Sequence, residues 1–319
     1  MTLDYLLMLV GFILLVGGAK FFVDGATAIA RRLKVSDMVI GLTVVSFGTG
    51  APEFVVSVMA SASGKTEISV GNILGSNIMN VQLVLGLAAI ICPIVVTRAT
   101  VWKEIPLSLL AAVMVGVLGN DLLLNGYGPS ELTRGDGIVL LSFFLVFVYY
   151  VLGLARSGRS EEGPSHAKLP GLPGSITIFI FGLIALNLGA RWVVQGAVAV
   201  ALAMGISEWV VGLTIVAVGT SLPELVASGM AAWKKNTDLA VGNIVGSNIF
   251  NIFCVLGVSA TIRPLPVPSA NNIDVLVTIG SSLLLMVWMV AGRRRYVLRR
   301  WHGVAGILLY VAYVTYRLV

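Results

Sequence analysis

Along this chain, long apolar stretches alternate with short polar interruptions, and ten such stretches can be counted. They run over Leu3–Ala30, Asp37–Ala62, Ile68–Ile91, Trp102–Leu118, Gly137–Leu154, Ser175–Met204, Ser207–Trp233, Leu239–Ile262, Ile273–Ala291 and Trp301–Tyr316. Most are close to the roughly 20 residues a helix needs to cross a hydrocarbon core about 30 Å thick. The pattern predicts an all-α membrane protein of ten transmembrane helices. Within the second and seventh stretches, Gly and Pro cluster at Gly48–Pro52 and Gly219–Pro223. Gly71, Gly75, Gly242 and Gly246 weaken the third and eighth. Helices 2, 3, 7 and 8 are therefore expected to be broken, because Pro lacks an N–H and Gly lowers the cost of unwinding. The most polar stretch, Ala155–Gly174, divides the chain into residues 1–154, a linker over 155–174, and residues 175–319.

The two halves are copies. GLTVVSFGTGAPE at Gly41–Glu53 reappears as GLTIVAVGTSLPE at Gly212–Glu224, a displacement of 171 positions. The same displacement carries GNILGSNIMN (Gly71–Asn80) onto GNIVGSNIFN (Gly242–Asn251), and Gly18 onto Gly189, without a gap. Five helices per copy is an odd number, so the copies must cross the membrane in opposite senses. Inverted five-helix repeats with interrupted helices are an architecture of secondary transporters, with the ion site near mid-bilayer where the repeats meet.

Composition agrees. Hydrophobic residues make up 57% of the chain and charged residues 11%, whereas soluble domains carry about 25% charge. The net charge of +6 does not point to nucleic acid, because the basic residues lie mostly in short loops. Fifteen Lys and Arg fall after odd-numbered helices and four after even-numbered ones or at the C-terminal end. The positive-inside rule then predicts a multi-pass cell-membrane protein with both termini extracellular and the linker cytoplasmic. Lipid is the expected environment, and no obligatory protein partner is expected. Cys92 and Cys254 have no metal-like spacing, His166 and His302 are remote from any candidate nucleophile, and no hydrolase, metalloprotease or P-loop motif is present. No enzyme activity and no cofactor are expected.

Chemistry concentrates in the duplicated motifs. Glu53 and Glu224 are carboxylates inside apolar stretches, where a charge costs about 2.5–3.5 kcal/mol; such residues mark ion pathways more often than packing. Pairing with Lys20 or Arg191 is disfavoured, because those two lie nearer the ends of helices 1 and 6. A break before Pro52 or Pro223 frees backbone carbonyls around Ser46–Thr49 and Ala217–Thr220. Two carboxylates together with hydroxyl, amide and carbonyl oxygens suit a hard divalent cation such as Ca2+, which takes six to eight oxygens. Ser76 and Asn80, and their copies Ser247 and Asn251, share a helix face and are assigned to the site. Asn72, Asn77, Asn243 and Asn248 suit either packing or the site, and the glycines of this motif suit packing. Asp24 and Gln195, related by the repeat, suit helix ends.

The paired motifs resemble the α-repeats of the calcium/cation antiporter superfamily, particularly the prokaryotic sodium/calcium exchangers. The resemblance implies exchange of Na+ against Ca2+ by alternating access, with helices 1 and 6 sliding past a fixed core. Carried over by position, Glu53 and Glu224 with backbone oxygens of Thr49 and Thr220 would hold Ca2+. One Na+ site would use the Ser46 carbonyl, Thr49, Glu53 and Ser76. The other would use the Ala217 carbonyl, Thr220, Ser221, Glu224 and Ser247, with Asn80 and Asn251 lining the middle. Gly50 departs from the family's Ser, which weakens the first sodium site, and Asn251 stands where potassium-dependent members carry Asp. The alternatives are a Ca2+/H+ antiporter and, in a different class, a cation channel.

Overall fold

The structure is a computed structural model, and it describes residues 2–126, 129–157, 171–205, 217–291 and 295–318. It is helical nearly throughout. Among the described residues, seven helices are long and apolar enough to span a membrane, and the bent pair Asp37–Thr49 and Ala51–Ala62 makes an eighth candidate span. The tenth predicted stretch forms the helix Arg300–Leu318; its His302, three tyrosines and Arg317 keep it out of that set. Of the seventh, the helices Ala217–Thr220 and Leu222–Trp233 are described, and Ser207–Val216 lies outside the described residues. So does most of the linker: one helix ends at Ser157 and the next begins at Leu172.

Two expectations are corrected. Helices 3 and 8 are not broken at their glycines: each crosses as a single helix, Thr66–Ile91 and Thr237–Ile262. Their irregularity is one wide π turn, at Asn80–Val84 and Phe250–Leu256. A π turn absorbs an extra residue while keeping the backbone hydrogen-bonded, as lipid demands. The protein is also not purely helical. Two ladders of two residues each pair Ile94–Val95 with Val297–Leu298, and Glu131–Leu132 with Leu265–Pro266. These ties join the loops at the ends of the third and eighth helices to the other half of the chain.

The helices Thr2–Leu33 and Leu172–Ala203 pack along each other's length. Gly11, Gly18 and Gly25 recur every seven residues, as do Gly182 and Gly189 in the partner. The approach is so close that a Cβ at Gly182 would lie 2.2 Å from Phe22 N, and one at Gly189 2.4 Å from Leu15 N. Phe22 and Phe179 stack beside them, with ring centroids 4.8 Å apart. Close small-residue contacts of this kind supply the van der Waals attraction that holds helices together in lipid. Behind this pair, Thr66–Ile91 and Thr237–Ile262 are the most enclosed spans, with 78% and 94% of their apolar windows buried inside the protein. Both carry the duplicated Gly-Asn-Ile motif.

Candidate cation site

The candidate residues gather where the bent segment Asp37–Ala62 and its described counterpart, from Ala217 to Trp233, meet the two enclosed helices. In the first copy the chain runs through a π turn at Gly41–Val45 and the short helix Ser46–Thr49, then bends by 50° at Gly50. The helix Ala51–Ala62 restarts there with Pro52 in its first turn and Glu53 beside it. In the second copy, described from Ala217 onward, the short helix Ala217–Thr220 is followed by Ser221, with Pro223 and Glu224 in the first turn of Leu222–Trp233. Proline is tolerated at these positions because the N–H it lacks would have no partner in a first turn. The missing N–H leaves the carbonyl four residues earlier, at Gly48 or Gly219, without its helical donor. The Ser46 carbonyl is not freed as expected: it accepts the Gly50 N–H at 3.0 Å and, more weakly, the Thr49 hydroxyl at 3.5 Å.

Of the predicted residues, Ser46, Thr49, Glu53, Ser76, Asn80, Ser221, Glu224, Ser247 and Asn251 are buried at 4% exposure or less. Thr220 is half-buried, and Ala217 opens its short helix. The contacts between the halves are themselves symmetric. Thr49 Oγ1 donates to Asn243 Oδ1 at 3.1 Å, and Thr220 Oγ1 to Asn72 Oδ1 at 3.4 Å. Those asparagines donate onward, Asn72 to Ser57 at 3.0 Å and Asn243 to Ser228 at 2.9 Å. At the centre Asn80 Nδ2 meets Asn248 Oδ1, and Asn251 Nδ2 meets Asn77 Oδ1, each at 3.0 Å. Every one of these pairs maps onto its companion by the displacement of 171. Asn72, Asn77, Asn243 and Asn248, left open between packing and the site, thus hold the site residues in place. Ser57 and Ser228 were missed, although their repeat relation was visible in the sequence.

The symmetry fails around Ser221. Ser221 donates to Glu53 Oε1 at 2.9 Å and lies 3.0 Å from the Ser76 hydroxyl, which itself reaches Glu53 at 3.4 Å. Ser221 therefore serves the carboxylate of the opposite copy, not Glu224 as the repeat-by-repeat assignment has it. Its counterpart Gly50 offers no hydroxyl to Glu224 or Ser247. Gly50 has φ −77°, which any residue adopts, so the backbone does not require glycine. Its side-chain space is bounded by the Phe250 ring and the Ser46 carbonyl, 3.3 and 3.0 Å from where a Cβ would sit.

Glu53 Oε2, Glu224 Oε2, Asn80 Oδ1, Asn251 Oδ1 and Ser247 Oγ are buried without a hydrogen-bond partner among the described residues. Buried polar atoms are nearly always satisfied, so five such oxygens among the predicted site residues form a set that favours a cation. Neither Lys20 nor Arg191 forms an ion pair with either glutamate among the described residues.

Comparison with known proteins follows the same lines. The sequence model of the family described as sodium/calcium exchanger protein matches residues 3–153 and 174–319. Inner membrane protein YrbG of Escherichia coli is 37% identical, with 90% of each chain covered. Sodium/calcium exchanger MaX1 of Methanosarcina acetivorans is 33% identical over 98% of each. A solved structure of the sodium-calcium exchanger NCX_Mj superposes with a TM-score of 0.84 at 36% identity, covering 98% of both chains.

Proposed function

Since the chain belongs to the sodium/calcium exchanger protein family, we propose that it is a secondary antiporter that exchanges Na+ for Ca2+ by alternating access. The observation that carries this reading is the set of partnerless buried oxygens on Glu53, Glu224, Asn80, Asn251 and Ser247. In the proposed cycle Ca2+ lies between the Glu53 and Glu224 carboxylates and takes further oxygens from the Thr49 and Thr220 backbone. The two carboxylates neutralise its charge, which a low-dielectric setting demands. Na+ ions use the same carboxylates, one at Glu53 with the Ser46 carbonyl, Thr49, Ser76 and the Ser221 hydroxyl that faces it, the other at Glu224 with the Ala217 carbonyl, Thr220 and Ser247. Because the sites share Glu53 and Glu224, the two cations exclude each other, and that exclusion is what turns a shared path into exchange. Asn80 and Asn251 line the middle as neutral amides, a choice that opposes K+ co-transport.

The architecture proposed with it has ten spans in two inverted five-helix repeats, both termini outside and the linker inside. The close-packed helices Thr2–Leu33 and Leu172–Ala203 would move as one body past the core. Equilibrium Ca2+ binding to purified protein tests the site. Millimolar Na+ should displace Ca2+ at constant pH. Displacement by protons but not by Na+ would instead favour a Ca2+/H+ antiporter.

A further inference from the structure

Away from the cation site, one end of the molecule holds a cavity of about 630 Å3 between the long helix pair and the core. Its wall includes Val23, Asp24 and Thr27 from the first helix, Ile178 from its partner, and Lys234 and Asn236 from the core. Two side chains bridge it. Lys234 forms an ion pair with Asp24 and also reaches the Lys20 carbonyl at 3.3 Å. Asn236 Nδ2 meets Thr27 Oγ1 at 3.2 Å and Asp37 Oδ2 at 3.0 Å, while its Oδ1 caps the next helix by accepting from Leu239 N at 3.1 Å. Asn236 is thus fixed to the core and grips the first helix.

The repeat supplies an internal control. The displacement of 171 carries Asp24, Thr27, Lys234 and Asn236 onto Gln195, Val198, Ser63 and Lys65. That set holds no acid for an ion pair, and Val198 offers no oxygen for a counterpart of the Asn236–Thr27 bond. Ser63 instead bonds its own helix, at 2.7 Å from the Met59 carbonyl. A feature preserved in neither charge nor hydrogen bonding, in a chain whose central contacts are preserved pair by pair, biases one end against the other. Lys234 is also placed to feel the cation site. It directly follows the helix Leu222–Trp233, whose first turn carries Glu224, so a shift of that rigid helix at one end moves the bridge at the other.

Resting on the alternating-access reading, we propose that Lys234 and Asn236 form a clamp that pins the long helix pair to the core at one end only, so that the carrier without bound ions rests with that end shut. An exposed ion pair contributes modestly, about 0.2–1 kcal/mol, which suits a bias that substrate binding must be able to overcome.

The test is the reaction rate of a cysteine at Val23 with a soluble maleimide, in membranes, in protein lacking Cys92 and Cys254. Val23 lines the cavity but is only 1% exposed, so it reacts when the helix pair lifts. Lys234→Gln should raise the rate by about 1.4- to fivefold, the range such a pair spans. Asp24→Lys combined with Lys234→Asp should restore slow labelling, although each reversal alone is fast. Building the pair at the opposite end, with Gln195→Asp and Ser63→Lys, should also speed labelling by favouring the other state. An unchanged rate in Lys234→Gln, or a double reversal no slower than its parents, overturns the clamp. Ca2+ exchange by the parent protein is measured in parallel: its absence would count against the antiport reading, whereas intact exchange with clamp-independent labelling would count against the clamp alone.

Discussion

In the proposed antiport Glu53 and Glu224 carry most of the chemical weight, and a carboxylate in an apolar stretch is the plainest such signal in the sequence. A unit charge about 4 Å from a cation contributes on the order of 4 kcal/mol at an effective dielectric of 20. Glu53→Gln and Glu224→Gln should therefore each weaken Ca2+ affinity by about a hundredfold or more. The proteins should remain folded, since removing one charge relieves repulsion between the carboxylates; gel filtration checks folding and calorimetry checks affinity. Near-normal Ca2+ binding by either variant would contradict the paired-carboxylate site. The exchange of partners across the repeats was not legible: Ser221 lies beside Glu224 in sequence, yet its hydroxyl serves Glu53. Linear spacing reports which residues share an element and is silent on which face each other across it. Gly50 was noticed as a departure, but its neighbour Phe250 was not. A serine there would crowd that ring, so Gly50→Ser alone should be impaired. Pairing it with Phe250→Met, which copies Met79 at the equivalent position, should raise apparent Na+ affinity. Ser221→Gly should lower it. Sodium titrations that are unchanged in both would remove these hydroxyls from the ligand set.

Among the elements, the bend at Gly50–Pro52 was legible because proline has a definite backbone consequence. The π turns at Asn80–Val84 and Phe250–Leu256 were not, since an inserted residue leaves no compositional mark. Glycines in the third and eighth helices were read both as packing positions and as breaks, and only the packing holds, at least for Gly242 and Gly246: a Cβ there would meet the Met38 carbonyl at 2.8 Å and Leu42 Cα at 2.8 Å respectively. The facing asparagines bind those two enclosed helices together. Asn248→Ala would leave the buried Asn80 amide without its acceptor, at a cost of about 1–3 kcal/mol. Asn77→Ala strands Asn251 in the same way and also removes the 3.2 Å bond from Asn77 Nδ2 to the Asn248 carbonyl, so both should lower thermal stability, Asn77→Ala the more. A large loss from one and none from the other, measured by thermal unfolding in detergent, would contradict the symmetric role.

For the whole molecule, length, apolar blocks and the duplicated motif were enough to indicate a multi-helix membrane protein of two related halves. The small ladders that tie the halves together were beyond sequence reading, because two-residue strands carry no periodic signal. Orientation rests on the asymmetry of Lys and Arg between loops. A cysteine at Ser160, with Cys92 and Cys254 removed, should be shielded from impermeant reagents in intact cells; ready labelling would invert the topology. The central claim is counter-transport through the shared carboxylates, and it is tested most directly by 45Ca2+ uptake into proteoliposomes loaded in turn with Na+, K+ or a proton gradient. The account predicts uptake only when an outward Na+ gradient is imposed, and its loss in Glu224→Gln. Equal uptake without any counter-ion gradient, or uptake driven by protons alone, would contradict it.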